Sequence, residues 1–171
     1  MLLQYCNALL RWRRRAILIA AALFVLASGE TAIASTEILP CHGTPSPYRL
    51  LVTSQGVKND RGYLVANLYG SDRRRWLADN GWLNVWRDHS IPGDETMCLY
   101  LPGPGRYALV MFQDANANGD LDLGPFGPKE GYGFSNNIRP FFSAPPLRAA
   151  LFDATGAETH VTIRLHYPPI P

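Results

Sequence analysis

The sequence predicts an all-β fold: a single antiparallel β-sandwich of about seven strands, immunoglobulin-like or transthyretin-like, with a long loop after a central strand. Three observations predict it. From Tyr48 onward apolar residues recur with period two rather than 3.6, clusters of turn-forming residues separate the short runs, and no long helical pattern lies between them.

The strands follow in order. Leu50 and Val52 alternate with polar neighbours, Gln55 to Gly62 supplies a turn, and Leu64, Ala66 and Leu68 share one face of a return strand while Asn67 takes the other. Gly81 to Asp88 and Thr96 to Leu101 read as two more strands around the turn Ser90-Ile-Pro-Gly-Asp94. In the first, Trp82 and Trp86 share a face; in the second, Met97, Leu99 and Leu101 do. Arg106 to Gln113 is apolar on both faces, which marks a central strand buried on both sides. Leu147 to Phe152 and Thr159 to His166 complete the set, the last with Val161, Ile163 and Leu165 inward and Thr162, Arg164 and His166 outward. Between them, Gly124 to Pro146 has no periodicity, and a loop of that length inside a small domain needs something to order it.

Residues 1–34 read as a secretory signal: a basic start with Arg11, Arg13, Arg14 and Arg15, an apolar run from Ala16 to Ala27, and Ala32-Ile-Ala34 as the cleavage site. That run has about 12 residues where a membrane span needs about 20, so no stable transmembrane anchor is expected. Pro40 before Cys41 argues against a lipoprotein cysteine, and the arginine run lacks the rest of a twin-arginine signal. The chain is expected to be exported, periplasmic or extracellular, with residues 35–47 extended and residues 48–171 forming the domain. Cleavage reduces the whole-chain charge of +2 to 12 basic against 13 acidic residues, which removes any argument for a nucleic-acid partner. Of three cysteines, Cys6 leaves with the signal. Cys41 and Cys98 are then expected to pair in an oxidising compartment. The bridge closes a 57-residue separation, worth roughly 4 kcal/mol in the chain-entropy picture. Cys98 alternates with Met97 and Leu99, which places the bridge at a flank or sheet edge rather than mid-core.

The chemical signal is Asp114-Ala-Asn116-Ala-Asn118-Gly-Asp120-Leu-Asp122. Oxygen-bearing side chains at alternate positions around Gly119 match the first three quarters of an EF-hand-type calcium loop. Asp114, Asn116 and Asn118 supply side-chain oxygens, Asp120 its carbonyl, and Asp122 a direct or water-mediated ligand, while Leu121 anchors the loop. The twelfth position holds Pro125 instead of a glutamate, so the closing carboxylate has to come from downstream, and Glu130 is the nearest. Calcium is the expected cofactor. In the competing reading these side chains make Asx turns and close the loop without metal.

Beyond it lies Glu130-Gly-Tyr132-Gly-Phe134-Ser135-Asn136-Asn137. Tyr132 and Phe134 suit a sugar or apolar surface, and Ser135, Asn136 and Asn137 a polar ligand; the same residues also suit packing and satisfying a loop. Together with the turn Leu101-Pro-Gly-Pro-Gly-Arg-Tyr107 and the Asp114 to Asp122 loop, this stretch resembles a family of exported bacterial domains of unknown function, marked by DxNxNGxLD followed by EGYGFSNN. The resemblance covers Tyr48 to Tyr167. It implies a small exported β-sandwich without an established enzyme activity.

Three functions compete. The first is a non-catalytic envelope module, a monomer or weak oligomer, whose calcium-ordered loop presents a surface to a protein or glycan partner. The second is a hydrolase or isomerase with Asp122 and Glu130 as acid and base, although neither a nucleophile elbow, a zinc-binding helix nor a phosphate loop occurs. The third is membrane contact through Arg73, Arg74, Arg75 and Trp76, for which a solvated turn or helix face is the simpler explanation.

Overall fold

The computed structural model describes residues 39–125, 127–139 and 143–168, so the expected signal over residues 1–34 and Cys6 lie outside the described residues. Strands β1 (Cys41–His42), β2 (Arg49–Val57), β5 (Gly93–Tyr100) and β11 (Glu158–Arg164) make one sheet in the order β1-β5-β2-β11. A second sheet runs β10-β6-β3-β4 through β10 (Phe152–Ala154), β6 (Gly105–Asp114), β3 (Tyr63–Tyr69) and β4 (Asn84–His89), with β9 (Tyr132–Phe134) on β6 beside β10. A two-residue pair, β7 (Leu123–Gly124) with β8 (Gly127–Pro128), stands apart. The architecture is the expected β-sandwich. Most pairings are antiparallel, but β11 runs parallel to β2 and β1 parallel to β5.

The alternation of the sequence places the core between the sheets. Leu50 and Val52 from β2, Met97 and Leu99 from β5 and Ile163 from β11 meet Leu64, Ala66 and Leu68 from β3 and Leu109 and Met111 from β6. Residues 107–114 of β6 are all buried, as its doubly apolar pattern requires. Its outward residues, Ala108 and Val110, join Tyr69, Phe134, Leu147 and Ala150 in a second cluster on the far face of that sheet. The return strand after Gly62 does not pair with its predecessor: β2 and β3 belong to opposite sheets, so the turn crosses the sandwich.

Cys41 and Cys98 form the disulfide, and it joins β1, at the margin of its sheet, to β5. Two local expectations are corrected. Leu147–Ala150 is a one-turn helix, α1, and only Phe152–Ala154 continues as strand, because Pro145 and Pro146 start the turn and Leu147 and Ala150, three apart, both face the second cluster. Trp82 precedes β4 rather than belonging to it, so it packs on the outer cluster while Trp86 enters the main core. No helix among the described residues is long and apolar enough to cross a membrane.

Candidate functional site

Strand β6 delivers the chain to Asp114, whose side chain is 0% exposed. Its Oδ1 accepts the Asn118 N–H at 3.0 Å and its Oδ2 the Gly119 N–H at 2.9 Å. Gly119 has φ +91°, a left-handed turn that glycine adopts without strain, and this aims its N–H back at the aspartate. The Arg87 guanidinium from β4 lies 3.1 Å from the same Oδ2 and 4.0 Å from the centre of the Tyr63 ring, which in turn stacks on His89 at 4.7 Å.

The remaining loop donors and acceptors meet one another. Asn116 Oδ1 accepts the Asn118 N–H and Asn118 Oδ1 the Asp120 N–H, two Asx turns in succession. The amide nitrogens of Asn116 and Asn118 donate to the two oxygens of Asp122 at 2.8 and 3.3 Å. Asp120 is exposed and Leu121 half-buried.

Glu130 reaches back to the loop as a backbone acceptor. It is buried, and its oxygens accept the N–H groups of Ala115 at 2.8 Å and Asp122 at 3.1 Å, one at each end of the loop. Asp114, Asn116, Asn118, Asp122 and Glu130 are therefore brought into one network. Among the described residues no three His, Cys, Asp or Glu side chains converge as a group suited to hold a metal ion.

The second motif spends its polar groups on backbone. Ser135 is 0% exposed; its Oγ accepts the Leu109 N–H at 2.9 Å and donates to the Ala150 carbonyl. The Asn136 amide donates to the Ala149 and Leu151 carbonyls. Asn137 donates to the Thr162 carbonyl and accepts the Arg164 N–H, the pattern of a neighbouring strand along the free edge of β11. Phe134 is buried and Tyr132 half-buried in the outer cluster, 6.0 Å apart edge to face. The arginine cluster is likewise engaged: Arg74 pairs with Asp72, Arg75 caps the carbonyls of Asn80 and Gly81, and Trp76 Nε1 donates to the Pro145 carbonyl.

Sequence reasoning missed two groups at this end of the sandwich. Arg87 carried only its alternation along a strand as a signal. Gln113, a buried amide closing an otherwise apolar run, donates to the Asn59 and Arg61 carbonyls and accepts the Tyr167 hydroxyl at 2.6 Å. With Lys58, Arg61, Ala115, Lys129, Glu130 and Gly131 it lines a cleft of about 290 Å³.

Fold and site define a small two-sheet β module whose central strand ends in a hydrogen-bonded acidic loop. The chain belongs to the family described as "Uncharacterized protein conserved in bacteria (DUF2141)", whose model matches residues 52–162 and so takes in both the loop and the motif after it. Neither a curated protein nor a solved structure matches the chain.

Proposed function

We propose that the protein is a non-catalytic exported β-sandwich module of the bacterial cell envelope, built to present a stable surface to a protein or glycan. The observation that carries this reading is the use made of the conspicuous polar residues. Glu130 joins both ends of the acidic loop, and Ser135, Asn136 and Asn137 fasten backbone. Groups consumed in this way hold a scaffold rather than a substrate. The disulfide between Cys41 and Cys98 supports an oxidising compartment. Mass spectrometry of a periplasmic or secreted fraction is expected to give a chain starting at Ser35 with that bridge closed; a full-length chain with reduced cysteines, retained inside the cell, would refute export.

A calcium-loaded form is the second reading, favoured by one feature. The Gly119 N–H on the first aspartate, with asparagines two and four positions on, is the frame of a calcium loop. Binding has to displace the two asparagine-to-Asp122 hydrogen bonds and compete with Arg87 for Asp114. Thermal melting in calcium and in chelator separates the readings. A native-state ligand at 100 times its Kd adds about 2.7 kcal/mol, and an unchanged transition at millimolar calcium selects the metal-free scaffold.

A further inference from the structure

The cleft beside the acidic loop has a composition that the scaffold does not explain. It lies where the β2–β3 turn, the end of β6, the segment before β9 and the residues after β11 meet, and Lys58, Arg61 and Lys129 all line it. Among the described residues none of these three forms an ion pair. The carboxylate in the lining, Glu130, already has a backbone donor on each oxygen. The Tyr167 hydroxyl accepts the Lys58 N–H and donates to Gln113, whose amide is itself spent on the Asn59 and Arg61 carbonyls. The charged groups of the lining without a side-chain partner among the described residues are therefore two ammonium groups and one guanidinium, all donors.

We infer that this cleft binds a small organic anion, a carboxylate or phosphate ester, with Lys58, Arg61 and Lys129 holding the charge and the Tyr167 ring forming a wall. The lining carries three positive charges against the one carboxylate of Glu130, and an anion bound between like charges turns their repulsion into attraction. Lys58 Nζ lies 5.7 Å from the centre of the Tyr167 ring, so ring and cation face the same space. A volume of about 290 Å³ is at the lower end for small-molecule sites and sets the size of the ligand. The wall is rigid because Gln113, 1% exposed, ties Tyr167 to the β2–β3 turn.

The inference names a ligand class for the proposed binding module, and its test is separable from that reading. Calorimetric titration of the mature protein at low ionic strength uses phenyl phosphate, benzoate and neutral benzamide. Both anions are expected to saturate, with benzamide at least about tenfold weaker. K58Q/R61Q/K129Q is expected to weaken the anions by at least about tenfold with an unchanged melting temperature. The single variant Lys129→Gln, at an exposed position, keeps the test valid if the triple variant perturbs folding, and is expected to weaken the anions severalfold. Equal binding of benzamide and phenyl phosphate, absence of saturable binding by the anions, or anion affinity that survives the substitutions overturns the inference. The scaffold reading is judged separately, by the export of the chain and its melting in calcium.

Discussion

Residues 114–122 and 130–137 belong to one long connection, yet they are held in opposite ways. In the first stretch the side-chain acceptors of Asp114, Asn116, Asn118 and Asp122 find partners between 2 and 6 positions away, apart from the Arg87 contact to Asp114. In the second, the partners of Ser135, Asn136 and Asn137 lie 13 to 27 positions away, on β6, α1 and β11. A motif satisfied locally needs only its own turn chemistry, whereas one satisfied at long range exists only when the rest of the fold is in place. Glu130, sequence-adjacent to the second stretch, reaches back to fasten the first. The contrast separates a loop that can open alone from a fastener whose loss is felt globally.

The largest effect is expected at Gly133. A Cβ there would lie 2.6 Å from Ile163 Cγ2 and 2.7 Å from the Arg164 carbonyl, where β9 passes close to β11. Gly133→Ala should therefore cost about 2–3 kcal/mol in denaturant unfolding, within the range for overpacking a core. A loss confined to the loop would break the comparison.

Glu130→Ala tests the opposite pole. Removing the carboxylate leaves the Ala115 and Asp122 N–H groups without their acceptor, and half-exposed surroundings let water replace part of it. About 1–2 kcal/mol is expected. Amide exchange should accelerate over residues 115–122 while β6 keeps its protection, and uniform acceleration would show that the loop does not open separately.

The smallest effect lies outside both regions and calibrates them. Burial, and secondarily the charge of Asp88, push the Glu95 carboxyl above its ordinary value of 4.5, and its Oε2 is buried without a partner. The fold therefore favours the protonated form, whose stabilisation is complete below that ordinary value and fades as pH rises through the raised one. Glu95→Gln should match the parent at pH 4 and exceed its stability slightly at neutral pH. A stability difference that does not change with pH would refute the charge origin.

The same contrast explains what was legible in the sequence. Strands with one face in the main core announced themselves by alternation, as Leu64, Ala66 and Leu68 or Val161, Ile163 and Leu165 do. Counting oxygens singled out Glu130 as a metal ligand, whereas its contacts in the structure are to the backbone N–H groups of Ala115 and Asp122, which no side-chain pattern announces. Tyr132–Phe134 was invisible as a strand because three residues centred on a glycine carry no period, and their pairing is written in β6. Leu147–Ala150 was too short to show a helical repeat. The anion cleft was hidden for a further reason: Lys58, Lys129 and Tyr167 are distant in the chain and meet only when the sandwich closes.

The parallel register of β2 with β11 has a consequence in time. Arg49 aligns with Glu158 and Gln55 with Arg164, so an inner strand of its sheet waits for residues more than a hundred positions later. Until they arrive, a chain emerging from its N-terminus exposes one side of β2 as an open template for foreign strands. Pairing at such separation is slow to nucleate. Any helper that keeps the nascent chain apart from its neighbours therefore has to shield Arg49–Val57 until Arg164 has emerged.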